Sequence, residues 1–556
     1  MNLQYSHAVG ESDRPLLNIT IGEQLEKSAE LHPDNPALIV EHQKIEWNYR
    51  QLNDKVNSLA LSLNKLGIQA GDRVAIWGPN SYEWVLTQFA TAKIGAILVC
   101  INPAYRLYEL EYALNKASCK AMVLAGEFKS SNYVAMISEL APELSKGQDS
   151  LGSAKLPHLK YVIRMGKQET TGMKNFDELL QVSTSNDDVR ELSSGLSPSD
   201  AINIQFTSGT TGSPKGATLS HINILNNGHF VGASMELTPD DKLCIPVPLY
   251  HCFGMVMGNL ACVSHGATMV YPNDGFDPKA TLETVARRKC TALHGVPTMF
   301  IAELEEADQY DLSSLRTGIM AGAPCPEEVM KKVMDKMHMK HVLIAYGQTE
   351  LSPVNHITSR DDSLTRRIST VGKPGPHLEV KIVDENGKTV PVGEKGEICT
   401  QGYSVMNGYW DDPERTAETI DQEGWLHSGD IGVMDSSGYV KIVGRIKDMI
   451  IRGGENIYPR EIEEFLITNS NIEDVHVFGI PDEVMGEEVC AWVKLNDEGS
   501  CTEDDIINFC RGQITHFKIP TYISLVSEFP MTVTGKVQKF KMREIMVEKL
   551  GEKTAG

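Results

Sequence analysis

The stretch that decides the fold is Thr207-Ser208-Gly209-Thr210-Thr211-Gly212-Ser213-Pro214-Lys215-Gly216. It combines hydroxyl side chains, glycines that leave backbone N–H groups accessible, and a lysine, all of which bind the oxygens of a polyphosphate. It follows the apolar run 201–206 and precedes a helix expected to begin at Ser220, so we predict a loop at the end of a strand, where nucleotides bind in α/β proteins. It is not a P-loop of the form G-x-x-x-x-G-K-[ST], because Pro214 precedes Lys215 and a glycine follows it. Taken alone, its composition equally suits a surface turn.

Further segments follow this loop in a fixed order. They are Pro248-Leu249-Tyr250-His251-Cys252-Phe253-Gly254, Ala321-Gly322-Ala323-Pro324, Ala345-Tyr346-Gly347-Gln348-Thr349-Glu350, Ser428-Gly429-Asp430, Gly444-Arg445-Ile446-Lys447-Asp448, Gly453-Gly454-Glu455-Asn456-Ile457-Tyr458-Pro459 and Thr534-Gly535-Lys536. Together with the loop, they resemble the adenylate-forming superfamily of acyl-CoA synthetases, luciferases and nonribosomal adenylation domains, over nearly the whole chain. Within it, residues 203–221, 444–459 and 516–520 are similar to medium-chain acyl-CoA synthetases called acyl-CoA synthetase family member 2.

The pattern of the chain predicts an α/β protein of several lobes. The length of 556 residues corresponds to roughly three or four domain-sized units. Strand-like and helix-like runs alternate over 37–124 and again over 202–346, which predicts two α/β lobes with parallel sheets. Short strands from residue 378 to 444 predict a β-rich subdomain, and the remainder predicts a small α+β domain. The polar segment 183–200 is expected to be a surface excursion of low order.

The resemblance implies that different domains bind the substrates and close over them. Residues 1–444 would form the domain that binds ATP and the acyl group, 445–450 the hinge, and 451–556 a mobile C-terminal lid domain. Lys447 would be the pivot about which the lid rotates between the two half-reactions. Considered alone, a lysine in a charged linker is usually a solvated side chain.

Composition excludes several classes of function. There are 74 acidic and 52 basic residues, and the net charge of −22 argues against a nucleic-acid binder or a binder of anionic membranes. No apolar run reaches the ~18 residues expected of a membrane span. The eleven cysteines contain no C-x-x-C pair, so we predict reduced, buried thiols rather than disulfides or a zinc site.

The same observations predict an intracellular protein. The N-terminal segment has no apolar core of the kind found in secretory signals. We expect a cytoplasmic location, or the mitochondrial matrix if a presequence has been removed. Both a monomer and a homodimer remain open.

The resemblance also implies which residues bind ATP. The phosphate loop would hold the β- and γ-phosphates through Thr207, Ser208, Gly209, Thr210, Thr211, Gly212 and Lys215. The segment Gly322, Ala323 and Pro324 would contribute to the nucleotide site, and Tyr346, followed by Gly347, would stack on adenine. Thr349 would bind phosphate and Glu350 would bind Mg²⁺, a hard ion suited to oxygen ligands. Asp430 and Arg445 would hold the ribose hydroxyls as a charged acceptor and a forked donor.

The catalytic residues implied by the resemblance are Lys536, Thr207, Lys215, Glu350 and His251. Lys536 would reach the α-phosphate and the acyl carboxylate, although an isolated lysine is usually exposed to solvent. His251 would lie beside the acyl pocket and the thiol path, although a lone histidine is more often structural. Gly453 and Gly454 would let pantetheine pass close to the backbone, because glycine has no Cβ.

The implied reaction is AMP-forming acyl-CoA synthesis with ATP, Mg²⁺ and coenzyme A. A fatty acid, most simply of medium chain length, reacts with ATP to give an acyl-adenylate and pyrophosphate, and the CoA thiol then displaces AMP. The alternatives are an aryl-CoA ligase, a ligase that loads a carrier-protein pantetheine, and a non-catalytic fatty-acid-binding relative. The last would be expected to have lost at least one of Lys215, Glu350, Asp430, Arg445 and Lys536, all of which are present.

Overall fold

The computed structural model describes residues 3–183, 186–207, 214–323, 325–453, 455–482, 484–497, 499–511, 513–532 and 536–554. The chain forms two compact units. The larger unit comprises Val9–Glu379 and Thr400–Leu426, and the smaller comprises Met1–Ala8, Val380–Cys399 and His427–Gly556. The domain boundary at residue 444 and the hinge 445–450 stay predictions.

The first sheet of the larger unit contains the two strands that flank the predicted phosphate loop. Its strands, in spatial order, are Lys174–Asn175, Tyr161–Arg164, Ala121–Leu124, Arg73–Trp77, Ile97–Cys100, Ala201–Thr207, Lys215–Ser220 and Gly408–Tyr409. Neighbouring strands are parallel as far as Ala201–Thr207, and the last two pairings are antiparallel. The apolar run 201–206 forms the strand Ala201–Thr207, as predicted, and Arg73–Trp77 and Ile97–Cys100 are parallel strands of the region 37–124 in which strands were expected.

The second sheet of the larger unit is also mostly parallel. Its strands, in spatial order, are Lys373–Pro374, Val354–Ile357, His341–Gly347, Thr317–Ala321, Ala292–Gly295, Lys242–Cys244, Thr268–Tyr271, Pro36–Val40 and Ile45–Asn48. The strands from His341–Gly347 to Pro36–Val40 pair in parallel, and the outer pairings are antiparallel. The alternation of strands and helices along the sequence therefore predicted both parallel sheets correctly.

Helices cover these sheets. Those of the larger unit are Ile21–Leu31, Tyr49–Lys65, Tyr82–Lys93, Leu107–Lys116, Tyr133–Leu140, Phe176–Leu179, Asn186–Ser193, His221–Ser234, Cys252–Gly254, Ala261–His265, Pro278–Arg288, Pro297–Glu306, Glu327–Lys336, Leu364–Ser369 and Pro413–Thr419. Short 3₁₀ turns lie at Pro142–Lys146, Ala307–Gln309 and Thr349–Leu351, a π-helical turn at Met255–Leu260, and a small hairpin at Glu127–Phe128 and Ser131–Asn132. The helix start expected at Ser220 is confirmed, because the Ser220 side chain accepts a hydrogen bond from the first turn of its helix, and Ser81 caps its helix in the same way.

The smaller unit contains two further sheets. One has the strands His7–Val9, Leu378–Val383, Lys395–Gly402, Leu426–Met434 and Val440–Arg445 in that order, and some of these strands begin or end in the larger unit. The other has Glu455–Ile457, Ile450–Arg452, Gly486–Leu495 and Ile472–Asp482, with Tyr522–Leu525 paired to Gly486–Leu495. Its helical segments are Ile446–Asp448, Pro459–Leu466, Glu503–Cys510, His516–Lys518 and Lys539–Thr554.

One expectation about order was wrong. The segment 183–200, expected to have low order, contains the helix Asn186–Ser193 in its described part. Val189 on this helix is buried, and Asn186 Oδ1 accepts a hydrogen bond from Asn57 at 2.7 Å. The buried Val189 and the hydrogen bond from the buried Asn57 to the exposed Asn186 therefore anchor a helix whose composition is otherwise polar.

The cysteines and the helices of the structure concern two further expectations. All eleven cysteines are free thiols, and ten are buried while Cys325 is partly exposed. In the described part of the chain, no helix combines the length and apolar character needed to cross a membrane.

Candidate active site

The two strands that flank the predicted phosphate loop pair in antiparallel orientation. Thr207 ends one strand and Lys215 begins the next, and the two residues face each other in register. The Thr207 hydroxyl donates to the Lys215 carbonyl at 3.4 Å. The sequence predicted a loop between a strand and a helix, whereas a second strand, Lys215–Ser220, precedes the helix. Ser208, Gly209, Thr210, Thr211 and Gly212 lie outside the described residues.

Lys215 lies over the ring of a tyrosine that the sequence did not single out. Its Nζ is 4.9 Å from the centroid of Tyr409, a cation–π distance. Tyr409 belongs to the short strand Gly408–Tyr409, which pairs with Lys215–Ser220 through the Ala217–Tyr409 register. The same sheet edge therefore positions the lysine and the aromatic ring.

Tyr409 also contacts the predicted magnesium ligand. Its hydroxyl donates to Glu350 Oε1 at 2.8 Å. Burial raises the pKa of Tyr409, and the Glu350 carboxylate raises it further, so the phenol keeps its hydrogen and remains the donor. The backbone carbonyl of Glu350 accepts from Met406 N–H at 3.0 Å, which fixes the turn Thr349–Leu351 that carries the carboxylate. Lys215, Tyr409 and Glu350 thus form one connected group.

This group suits a magnesium ion bound together with phosphate. Mg²⁺ in such sites takes one or two carboxylates and completes its octahedron with water and phosphate oxygens. Glu350 is only partly buried, and the Tyr409 hydroxyl is bonded to one of its two oxygens. A carboxylate oriented in this way is an appropriate donor for a hard cation.

Tyr346 lies at the end of the strand His341–Gly347. Its ring is partly exposed, and its centroid is 5.8 Å from that of the fully buried His356 on the neighbouring strand. Gly347 follows directly, and a Cβ there would lie 1.9 Å from the Pro353 carbonyl oxygen, so only glycine is accommodated. The position that follows Tyr346 can therefore be occupied only by glycine.

The third predicted nucleotide-binding segment also ends a strand of this sheet. Gly322 follows Thr317–Ala321 with a φ of 91°, in the region that favours glycine, and Ala323 is exposed. Pro324 lies outside the described residues.

His251 has an evident structural role. Its Nδ1 accepts from Phe253 N–H at 3.1 Å, which caps the helix that begins at Cys252. That helix continues into the buried π-helical turn Met255–Leu260, a geometry often found at functional sites. The role of His251 beside the acyl group stays a prediction.

In the smaller unit, Asp430 and Arg445 form an ion pair. They are register partners on adjacent antiparallel strands, and Arg445 Nε donates to Asp430 Oδ1 at 3.0 Å. Asp430 is 4% exposed, while its backbone N–H donates to the Ser428 hydroxyl at 3.1 Å. The two residues are fifteen apart along the chain and meet across one strand pair. The pair presents one carboxylate with a defined orientation.

The remaining predicted residues lie on exposed parts of the smaller unit. Lys447 is in the 3₁₀ turn Ile446–Asp448, directly after Arg445 and Ile446. Lys536 is exposed, and its carbonyl accepts from the Thr532 N–H at 2.7 Å.

Gly453 has a φ of 58°, and its N–H donates to the Met485 carbonyl at 2.8 Å. A Cβ on Gly453 would lie 2.7 Å from Met485 Cε. The backbone therefore passes close to Met485 at this point. Gly454 lies outside the described residues.

Tyr409 is the functional candidate that sequence reasoning missed. It is 59 residues from Glu350 along the chain, and its only local signal is its place in the aromatic pair Tyr409-Trp410. The contacts that give it a role arise only from tertiary structure.

Comparison with known proteins gives the family. A model described as AMP-binding enzyme matches residues 25–410, and one described as AMP-binding enzyme C-terminal domain matches residues 461–536. The chain is 47% identical to the putative acyl-CoA synthetase YngI of Bacillus subtilis, over 96% of this chain and 98% of YngI. It is 44% identical to the mitochondrial medium-chain acyl-CoA ligase ACSF2 of Bos taurus, over 98% of this chain and 90% of that protein.

A solved structure gives the same result for the fold. The crystal structure of the anthranilate CoA ligase AuaEII in complex with anthranoyl-AMP superposes with a TM-score of 0.81 at 26% identity, over 96% of this chain and 98% of AuaEII. The predicted α/β fold, with a large N-terminal part and a smaller C-terminal part, is confirmed by this similarity. The chain belongs to the AMP-binding, adenylate-forming enzyme family, and within it to the acyl-CoA synthetases, which are acid–thiol ligases.

Proposed function

We propose that the protein is an ATP- and Mg²⁺-dependent ligase of medium-chain fatty acids and coenzyme A, which acts through an acyl-adenylate. The observation that carries the proposal is the connected group Lys215, Tyr409 and Glu350. In this group one tyrosine contacts both a lysine at one end of the predicted phosphate loop and the carboxylate expected to hold Mg²⁺. The choice of medium-chain acids is supported by the name and 44% identity of the Bos taurus relative.

In the first half-reaction, the residues of the larger unit handle the triphosphate. Lys215 and Thr207 would neutralise and hold its outer phosphates, so that pyrophosphate can leave. Glu350 would hold Mg²⁺, which when bound spreads the negative charge of the phosphate oxygens. Tyr409 keeps the Glu350 carboxylate oriented, and Tyr346 offers its partly exposed ring as a platform for adenine. These groups act mainly by position and charge.

Residues of the smaller unit would act on the substrates in two ways. The Asp430 carboxylate, oriented by Arg445, would accept hydrogen bonds from the ribose hydroxyls. Lys536 would neutralise the α-phosphate and the attacking carboxylate during adenylation. Rotation about Lys447 would then exchange Lys536 for the Gly453-Gly454 segment, which would guide pantetheine to the acyl-adenylate.

A second candidate is an aryl-CoA ligase, favoured by the likeness to AuaEII. Pyrophosphate release and thioester formation, measured with octanoate, palmitate and anthranilate, distinguish the candidates. We expect the highest kcat/KM with octanoate and formation of octanoyl-CoA. A preference for anthranilate would support the aryl ligase. Pyrophosphate release without transfer to CoA would indicate a carrier-protein acceptor, and no release with any acid would indicate a binding protein. The location and the oligomeric state stay as predicted from the sequence.

A further inference from the structure

A second cluster of potential metal ligands lies in the smaller unit. Glu397, Cys399 and His427 each offer one ligand atom, and these atoms all lie within 4.8 Å of one another. His427 Nδ1 is 2.8 Å from Glu397 Oε2 and 3.4 Å from Cys399 Sγ. Among the described residues, it is the one group of three or more His, Cys, Asp or Glu side chains whose ligand atoms all lie within this distance.

The sheet explains why these side chains meet. Glu397 and Cys399 are two residues apart on the strand Lys395–Gly402, so they lie on the same face. His427 is on Leu426–Met434, the neighbouring strand in the sheet. Cys399 is fully buried, whereas the side chains of His427 and Glu397 are 31% and 19% exposed. The cluster therefore has a rigid base and one side open to solvent.

Two contacts of the cluster share one ring nitrogen of His427. Both neighbours approach the same ring nitrogen of His427, which carries at most one hydrogen. If Nδ1 is protonated, it donates to the carboxylate and has no lone pair for the thiol. If it is not, its lone pair faces those of the carboxylate oxygen at 2.8 Å. A cation between the three atoms would accept all three lone pairs at once.

The same geometry argues against a nucleophilic triad. In a triad of this kind, the nucleophile and the acid bind to different nitrogens of the imidazole. Here Cys399 and Glu397 both contact Nδ1. The cluster therefore lacks the arrangement that a proton relay requires.

The separation of the sulfur and nitrogen atoms agrees with a tetrahedral zinc-type site. With Zn–S of about 2.3 Å and Zn–N of about 2.0 to 2.1 Å, tetrahedral sulfur and nitrogen ligands are about 3.5 Å apart. The observed separation of Sγ and Nδ1 is 3.4 Å. The carboxylate oxygen would need to move away from Nδ1 by roughly half an ångström to reach the corresponding spacing.

We propose that Glu397, Cys399 and His427 bind one borderline-soft divalent cation of the Zn²⁺ class, with water as the fourth ligand. Sulfur and imidazole ligands favour such an ion over Mg²⁺, which prefers oxygen donors. Binding releases the Cys399 thiol proton to solvent and uses His427 with its hydrogen on Nε2.

The proposed site has a direct structural link to Asp430. The other oxygen of Glu397 accepts the Gly429 N–H at 2.9 Å. Gly429 immediately precedes Asp430, whose own N–H is bonded to Ser428. An ion that fixes Glu397 would therefore stiffen the turn that carries the Asp430 carboxylate.

Titration of the full-length, metal-free protein with Co²⁺ tests the proposal. Tetrahedral Co²⁺ bound to thiolate gives a charge-transfer band in the near ultraviolet and intense d–d bands in the visible. We expect these bands to saturate at one equivalent, to be displaced by Zn²⁺, and to persist in excess Mg²⁺. Elemental analysis after dialysis against Zn²⁺ should also give one zinc per chain.

Two variants assign the bands to the cluster. Cys399→Ser, a near-isosteric change, should abolish the thiolate band, whereas Cys325→Ser, at the partly exposed cysteine, should leave it unchanged. No saturable band in the wild type, a band that survives Cys399→Ser, or equal loss in both variants would overturn the proposal. Because the wild-type titration and zinc content need no mutation, the test holds even if Cys399→Ser fails to fold.

Discussion

The hydroxyl of Tyr409 donates to Glu350 Oε1 at 2.8 Å, while the face of the same ring lies 4.9 Å from the Lys215 ammonium. One side chain thus contacts both the cation and the anion of the proposed phosphate site. This relationship makes the contribution of the hydroxyl separable from that of the ring.

Tyr409→Phe should raise the Mg²⁺ concentration needed for half-maximal adenylation by roughly 10- to 150-fold. The change removes a hydrogen bond to a charged group, which contributes about 1.5 to 3 kcal/mol, and keeps the ring beneath Lys215. Pyrophosphate release across a Mg²⁺ titration measures the effect. Tyr108→Phe, at a tyrosine that is 80% exposed, is the matched control. Identical Mg²⁺ dependence in both variants would remove Tyr409 from the site.

Glu350→Gln should lower kcat/KM for ATP by at least ~10²-fold, the scale of losing one preorganised charged group at a developing charge. The amide keeps the shape and can still accept from Tyr409, but it removes the anionic ligand of Mg²⁺. Excess Mg²⁺ should restore part of the rate. A normal rate at low Mg²⁺ would show that Glu350 does not bind the ion.

Lys536→Ala should slow acyl-adenylate formation by at least ~10²-fold, because a cation at the α-phosphate is lost. The second half-reaction should be retained when acyl-adenylate and CoA are supplied. Single-turnover measurement of each half-reaction provides the comparison. Lys541→Ala, at another exposed lysine of the same unit, serves as the control. Equal loss of both half-reactions would contradict a role confined to the first.

Lys447→Pro should spare adenylation and slow thioester formation. Proline fixes φ near −65° and removes a backbone N–H, so it restricts rotation at the proposed pivot. Rapid-quench measurement should therefore reveal accumulated acyl-adenylate. Lys447→Ala, which leaves the backbone free, should behave nearly as the wild type. If the proline variant forms thioester at a normal rate, the pivot lies elsewhere.

The protein should lose stability between pH 6.5 and about pH 4. Burial lowers the pKa of His356 to about 3 and those of His221 and His294 to about 4, from 6.5. Within that window the unfolded chain binds more protons than the folded chain, so falling pH favours unfolding. Each histidine contributes about 1.4 kcal/mol per pH unit, and the contribution is absent above pH 6.5.

The His356 contribution can be isolated by substitution. Neither ring nitrogen of His356 has a hydrogen-bond partner among the described residues, so His356→Phe removes the protonation site without removing a described bond. Denaturant unfolding between pH 4.5 and 7.5 should show a shallower acid loss in this variant than in His158→Phe, at an exposed position. Parallel profiles would contradict the assignment.

Local signals in the sequence predicted much of the fold. Ser81 and Ser220 begin helices because their side chains accept from the first turn, and such signals are complete within a few residues. The segment around Val189 was misjudged, because one buried side chain and an amide partner on another helix outweigh a polar composition. Polar composition alone was therefore a poor guide to order.

The parts of the candidate site that lie within one sequence motif could be predicted from the sequence. The pairing of Asp430 and Arg445 depends on a single hairpin, so its spacing can be recognised in the sequence. The contact between Tyr409 and Glu350 depends on strands and turns that are distant along the chain, as does the meeting of Cys399 with His427. No local spacing rule could identify either contact.

The way the chain is divided between the two units limits where a large rotation can occur. The chain crosses the border at 8/9, 379/380, 399/400 and 426/427, and the strands Lys395–Gly402 and Leu426–Met434 run through it. A rotation of one unit against the other would have to deform the backbone at all four crossings and disrupt the strands that continue through them. Between Arg445 and Ile450 the chain joins two sheets by one connection. Because this is a single connection, the backbone there can rotate without interrupting a strand.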